Sequence, residues 1–168
     1  MKWEEQGTID NERYSVMPRT LSFLTHHGQV LLLRGAPSKR IWANKLNGVG
    51  GHLEPGEDAL SGARREILEE TGLTVDELQL CAVVHISGVP PDPGVIMFVF
   101  VGSAPRRQVD SSSGGKLAWY SIGQWPEHEM VDDLPHLLPR ILHIPPGGMV
   151  YGHYALDPVS QRMIFHFC

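Results

Sequence analysis

The stretch REILEETG, Arg65 to Gly72, sets Glu66, Glu69 and Glu70 at helical spacing i, i+3, i+4. On one helix face these like charges repel by a few tenths of a kcal/mol per pair, about 0.2–0.5. Gly72 reads as the residue just past the helix end. Glu69 and Glu70 then lie in the last turn, where the helix macrodipole favours cations and disfavours anions. Two unfavourable arrangements in eight residues call for a compensating positive charge.

Working outward, Asp58 is a plausible N-cap and Ala59 to Thr71 follow a helical pattern. Leu60, Ala63, Ile67 and Thr71 fall on one stripe, the expected core face. The three glutamates centre roughly a quarter-turn from that stripe. Ala59 and Gly62 lie on the acidic side, where small side chains leave room for an approaching group. Gathered carboxylates suit a hard divalent cation such as Mg²⁺, which takes oxygen ligands and is usually shared with substrate phosphates. Cation binding would turn the repulsion into attraction. Upstream, Gly51 suits close approach of backbone to a ligand, and its carbonyl is a further candidate oxygen donor. Arg65 can pair with Glu69 four residues on, and can hold Glu66 or Glu57 in one orientation. Against this stands a plain solvated acidic face, the commoner origin of charge runs.

The chain of 168 residues fits one domain with a sizeable core. A formal charge of −5 excludes the general basic footprint of a nucleic-acid-polymer binder. No run of about 18 apolar residues suggests a membrane span. The polar start, Met1 to Gln6, is not expected to be a signal peptide. Cys81 and Cys168 lack metal or redox spacing and read as reduced core or terminal residues, so a cytoplasmic location is expected.

Residues 1–13 read as a loose extension and 14–168 as the domain. Thr20 to Gly35 read as two strands around a turn at His27-Gly28-Gln29. Residues 36–58 form a long Gly-, Pro- and Asn-rich loop with a short extended piece, and such loops are usually functional. Strands are expected over 78–87, 94–102, 116–122, 149–156 and 162–168, with a second amphipathic helix over 132–144 capped by Asp132 or Asp133. The order implies an α+β sandwich in which helices cover a mixed sheet.

From Gly51, five residues lead to Glu57 and seven more to Arg65-Glu66, then Ile67, Leu68, Glu69-Glu70, Thr71, Gly72 and Leu73. This resembles the Nudix box, Gly-x5-Glu-x7-Arg-Glu-apolar-x-Glu-Glu-x-Gly-apolar, at every defined position. The resemblance implies the Nudix fold and a hydrolase of nucleoside diphosphates linked to another moiety. It implies Mg²⁺, with Mn²⁺ as a substitute, held by Glu66, Glu69, Glu70 and the Gly51 carbonyl. It makes Glu66, oriented by Arg65, a candidate base, with Glu69 beside it and Glu57 as support. Many members place the base on a loop outside the box, and 109–116 offers Asp110, so that assignment stays open.

"LNGVGG", Leu46 to Gly51, is similar to the corresponding stretch of the MutT-like, oxidised-purine nucleoside triphosphatases. By that resemblance Asn47 and the pair Asp132-Asp133 would take the purine, and the C-terminal hairpin with His153 and Tyr154 is similar too. Two adjacent carboxylates in a dry pocket cannot both ionise cheaply, so one keeps a proton and the pair offers a donor and an acceptor. The plainer readings are a turn residue for Asn47 and a helix cap for the aspartates. Met130-Val131 replaces the aromatic platform of that subgroup. Trp42, Trp119 and Trp125 are candidates for stacking or for packing. Pro90 and Pro91 lie near the proline position of ADP-ribose hydrolases, and a hairpin turn explains them as well. The expected substrate is a nucleoside triphosphate, purine and with oxidised bases among the candidates, cleaved to monophosphate and pyrophosphate. ADP-ribose hydrolysis and non-catalytic nucleotide sensing are the alternatives. The partner is a small nucleotide, with the protein a monomer or homodimer.

Overall fold

Alternation of apolar residues along the first two strands places a sheet between two helical layers. The computed structural model describes residues 13–39, 41–89, 91–110 and 114–168. The expected extension over 1–13 therefore lies, Arg13 apart, outside the described residues. Strand β1 (Val16–His26) turns through His27 and Gly28, at φ 45° and 76°, into β2 (Gln29–Gly35). A two-residue turn with both φ positive matches strand twist. Then come β3 (Leu46–Asn47), α1 (Ala59–Thr71), β4 (Leu78–Ile86), β5 (Gly94–Ser103), β6 (Gly115–Ser121), α2 (Leu134–Leu142), β7 (Val150–Leu156) and β8 (Met163–Phe167).

The sheet runs β3-β2-β1-β5-β4-β7-β8, with β6 also paired to β2. It is mixed, since β1 pairs with β5 and β4 with β7 in parallel. Leu21 and Phe23 of β1 and Val30 and Leu32 of β2 face α2, whose Leu134, Leu137, Leu138 and Ile141 complete one core. Leu24 and Leu31 point the other way, onto Ile67 of α1 together with Val49, Leu73 and Val75. The period-2 strands thus feed both helices, and the fold is the expected α+β sandwich.

One departure from regular pairing positions the site. Strands β1 and β2 share only the pairs Thr25–Val30 and His26–Gln29 before they part. The loop after β3 takes the vacated edge of β1. Val49 and Ser22 exchange both backbone bonds, at 2.7 and 3.0 Å, Thr20 N–H donates to the Gly51 carbonyl at 2.9 Å, and Leu53 N–H donates to the Pro18 carbonyl at 3.2 Å. The glycine loop is thereby held as an extra strand beside β1, although it read as loop.

Candidate active site

Helix α1 starts as its sequence predicts. The Asp58 carboxylate accepts from Leu60 and Ser61 N–H at 2.8 and 2.9 Å, and these bonds hold its pKa below the usual carboxylate range. The helix ends at Gly72 with φ 68°, whose N–H returns to the Leu68 carbonyl at 2.9 Å. A Cβ at Gly72 would meet Asp110 Oδ2 at 2.0 Å, because the loop before β6 folds over the helix end. That placement puts Asp110 against Gly72.

Arg65 organises the acidic face. Nε and Nη2 reach the two Glu57 oxygens at 2.7 and 3.0 Å, and Nη2 also donates to the His52 carbonyl at 3.1 Å. Nη1 donates to Glu66 at 2.9 Å and to Glu69 at 3.3 Å. A guanidinium carries five N–H donors, and five acceptors are satisfied here. The fork holds Glu57 as a carboxylate, well below its ordinary pKa, and its own pKa is driven up by Glu57 and then Glu66. So the arginine, at 22% side-chain exposure, joins the loop to the helix rather than forming only a surface pair.

Gly51 lies under Glu66. A Cβ there would stand 2.2 Å from Glu66 Oε1, so only glycine allows the carboxylate to rest on the loop. Glu70 accepts from Gly50 N–H at 3.3 Å, and burial raises its pKa against the opposing effects of Lys39 and Gly50 N–H. Glu69 is the outer member at 57% side-chain exposure, compared with 14% for Glu66. Among the described residues no three Asp, Glu, His or Cys side chains converge as a cation cluster. Glu66 and Glu69 are turned to Arg65, and Glu70 to the Gly50 amide. The donors still fit a hard divalent cation, being oxygens throughout on one helix face and on the loop beneath it. The Gly51 carbonyl spends one lone pair on Thr20 N–H and keeps the other.

Asn47 and the aspartate pair come together through backbone. Val131 N–H donates to the Leu46 carbonyl at 3.0 Å, and Leu46 and Met130 form a parallel bridge. Arg34 of β2 bonds to Glu129 and to the Asn44 carbonyl, while Lys45 reaches the His128 carbonyl at 3.1 Å. The Asn47 side-chain oxygen accepts from Gly48 N–H at 2.8 Å, and Asn47 itself lies in strand β3 rather than in a turn.

The two aspartates differ. Asp132 is exposed and Asp133 is 8% exposed. Asp133 occupies the N-cap position of α2, yet makes no side-chain cap bond, contrary to the capping expectation. Burial raises its pKa, with Tyr154 opposing that rise and Asp132 adding to it. Met130 is 1% exposed within the α2-side core and offers no platform to a base. Trp119 donates to the Arg107 carbonyl at 2.9 Å and packs beneath α1, and Trp125 packs on the other core. Trp42 is 46% exposed, on the loop leading to β3.

Sequence reasoning missed Lys39 as the charge facing Glu70 and Arg34 as the tie to the aspartate segment. Basic residues in a long functional loop, Lys39 among them, were the available signal for the first. The second depends on a contact 95 residues apart, which no local pattern shows. Both cysteines are free, Cys81 buried and Cys168 exposed. Among the described residues no helix is long and apolar enough to cross a membrane.

The NUDIX domain family model matches residues 18–141. The oxidized purine nucleoside triphosphate hydrolase of Danio rerio is 31% identical over 116 residues, 68% of this chain and 73% of that protein. The Mus musculus protein of the same name is 31% identical over 125 residues, 73% of this chain and 78% of its own. In structure, the mutator MutT protein from Bacillus halodurans superposes with a TM-score of 0.75 at 23% identity, covering 90% of this chain and 97% of its own. The fold and its acidic helix are those of the Nudix class. The chain belongs to the Nudix family and is a Nudix hydrolase.

Proposed function

We propose that this enzyme is a Mg²⁺-dependent pyrophosphohydrolase that cleaves purine nucleoside triphosphates, oxidised purines among them, to the monophosphate and pyrophosphate. The observation that carries this reading is the pairing of two features on one loop. Gly50-Gly51 lies under the Arg65-ordered glutamates, and four residues before Gly50 Leu46 ties Asn47 to the segment bearing Asp132 and Asp133. A phosphate end and a base end are thus set by the same stretch of backbone. The names of the two relatives above agree with this assignment.

Glu66, Glu69, Glu70 and the Gly51 carbonyl are the residues that would hold the cation, with Mn²⁺ as a substitute. When bound, it neutralises phosphate oxygens and makes the attacking water more acidic. Arg65 keeps the Glu66 carboxylate over Gly51, where Glu66 is the proposed base that takes the water proton. Water oxygen bonds to one phosphorus of the anhydride as the bridging P–O bond breaks, and pyrophosphate carries the bond electrons away. Glu57 serves this step by fixing Arg65. At the base end, Asn47, Asp132 and Asp133 are the proposed purine contacts.

The ADP-ribose cue loses weight because Pro91 lies in a turn closed by Asp92 N–H to the Val89 carbonyl at 2.9 Å, and Pro90 lies outside the described residues. The test is incubation with Mg²⁺ and dGTP, 8-oxo-dGTP, dATP, dCTP, ADP-ribose and a dinucleoside polyphosphate, with products separated by chromatography. Monophosphate plus pyrophosphate, fastest from a purine triphosphate, is expected. Cleavage of ADP-ribose alone would discard the purine pocket, and tight binding with no turnover would convert the reading to a sensor. Glu69→Gln and Glu70→Gln are each expected to abolish turnover while the thermal unfolding transition remains.

A further inference from the structure

Strand β8 closes the sheet at one end, and among the described residues it pairs with β7 alone. The ladder with β7 fixes which of its backbone groups face outward. Tyr151 and Cys168 exchange both backbone bonds, at 3.1 and 2.9 Å, and Asp157 N–H donates to the Arg162 carbonyl at 2.8 Å. Along an antiparallel pair of strands, bonded and non-bonded residue pairs alternate. His166 and Ile164 are therefore bonded to His153 and Ala155, while Phe167, Phe165 and Met163 stand in the non-bonded pairs. The N–H and C=O groups of these three residues point away from β7. Such an edge is normally blunted by a lysine, a proline, a bulge or a covering segment. Residues 163–167, Met-Ile-Phe-His-Phe, hold no proline and no Lys, Arg, Asp or Glu, and their register with β7 runs without a shift. Met163 and Ile164 are each 38% exposed. The opposite end of the sheet is protected: β3 is two residues long, and Val131 N–H takes its Leu46 carbonyl at 3.0 Å.

We propose that β8 is an interaction edge whose partner is β8 of a second copy of this chain, joined antiparallel about a two-fold axis at Phe165. The outward pattern itself selects this occupant. With Phe165 opposite its own copy, Met163 of each chain meets Phe167 of the other. This register alone sets all the outward-facing residues opposite one another, and each such pair exchanges two backbone bonds. The contact is isologous, the same edge serving both copies. Side chains match in the same register. Met163 meets a phenylalanine ring, a favourable sulfur–aromatic pairing. Ile164 lies opposite His166, so no like charges face each other across the axis. Both copies are uncharged along residues 163–167 at neutral pH, and neither repels the other there. A five-residue edge makes a small interface, below the ~1,200 Å² of a standard one. Association is therefore weak and set by concentration, not obligate.

The experiment is analytical ultracentrifugation of the full chain over roughly 10–500 μM, the range in which a weak complex of this kind assembles. Residue-resolved amide hydrogen exchange is measured at both ends of that range. The average mass is expected to rise from monomer toward dimer. Exchange should slow with concentration at Met163, Phe165 and Phe167 and stay unchanged at Ile164 and His166, whose amides already bond to β7. That alternation separates edge pairing from contact through a sheet face. Met163→Pro removes one outward N–H from each copy and no bond to β7. It should weaken association roughly tenfold or more, since two bonds are lost per dimer. Its melting temperature at low concentration should match the unmodified protein. Ile164→Lys puts a charge on the edge and should weaken association as well, which keeps the test valid should the proline disturb the hairpin. A monomer mass that holds to the highest concentration would overturn the proposal, as would a dimer that neither substitution weakens. Equal protection of the three amides at every concentration would also overturn it, because the edge is then covered by something other than a second copy.

Discussion

Replacing Arg65 by lysine keeps the charge and loses the fork. The five donors now shared among Glu57, Glu66, Glu69 and the His52 carbonyl become three on a flexible stem. Arg65→Lys is expected to lower kcat by about 10- to 100-fold, the usual cost of losing a partner that orients a ligand. The unfolding temperature should move little, and kinetics beside a thermal melt separate the two effects. Asp133 gives a pH prediction of definite sign. Burial raises its pKa above the unfolded value. The stability linked to that proton is full below the unfolded pKa and is lost as pH rises through the folded one. Asp133→Asn should therefore raise the melting temperature by a few degrees at pH 8 and by little at pH 4. An equal gain at both pH values would mean that the ionised form carries no burial cost.

At the scale of elements, α1 was legible because its signals are local. A cap, a periodic apolar stripe and a terminal glycine all lie within fifteen residues, and the observed Ala59–Thr71 matches the expected span. The spacing of Gly51, Glu57 and Arg65 was legible too, and so were Glu57, Glu66 and Glu69 as candidate partners of Arg65; that the guanidinium takes all three at once was not. Helix α2 is shorter than its amphipathic pattern, Leu134–Leu142 in place of 132–144, since the chain is still turning at Asp132 and Asp133. The parallel partnerships β1–β5 and β4–β7 had no local sign, because the partners are some 70 residues apart in sequence. Two glycines give contrasting predictions. Gly51→Ala should displace Glu66 and abolish turnover with a small change in melting temperature, since its Cβ would strike a movable side chain. Gly72→Ala should lower the melting temperature by several degrees. Its left-handed φ of 68° costs a side chain roughly 1–2 kcal/mol, and about 1 kcal/mol moves a chain of this size by ~2–4 °C.

Across the whole molecule, the C-terminal hairpin ties the sheet edge to the core around α2. Phe165 and Phe167 pack on Tyr154 and on the core around α2. Converting both to alanine should lower the melting temperature by ~5 °C or more, since each half-buried ring contributes roughly 1–2 kcal/mol.

The parting of β1 from β2 has a consequence for how this chain tolerates changes in length. Between Ala36 and Asn44 the described residues make no backbone bond to β1, so an added residue there lengthens a surface excursion at little thermodynamic cost. From Val49 to Leu53 the same loop is in register with Ser22, Thr20 and Pro18. One residue inserted in that interval would slide the segment by one step, and a one-step slide turns every side chain to the opposite face. Gly51 would leave its place under Glu66, and Val49 would leave the core. An insertion scan through 36–53 should therefore divide into a permissive half and a forbidden half, with the boundary at the point where the loop begins to act as a strand.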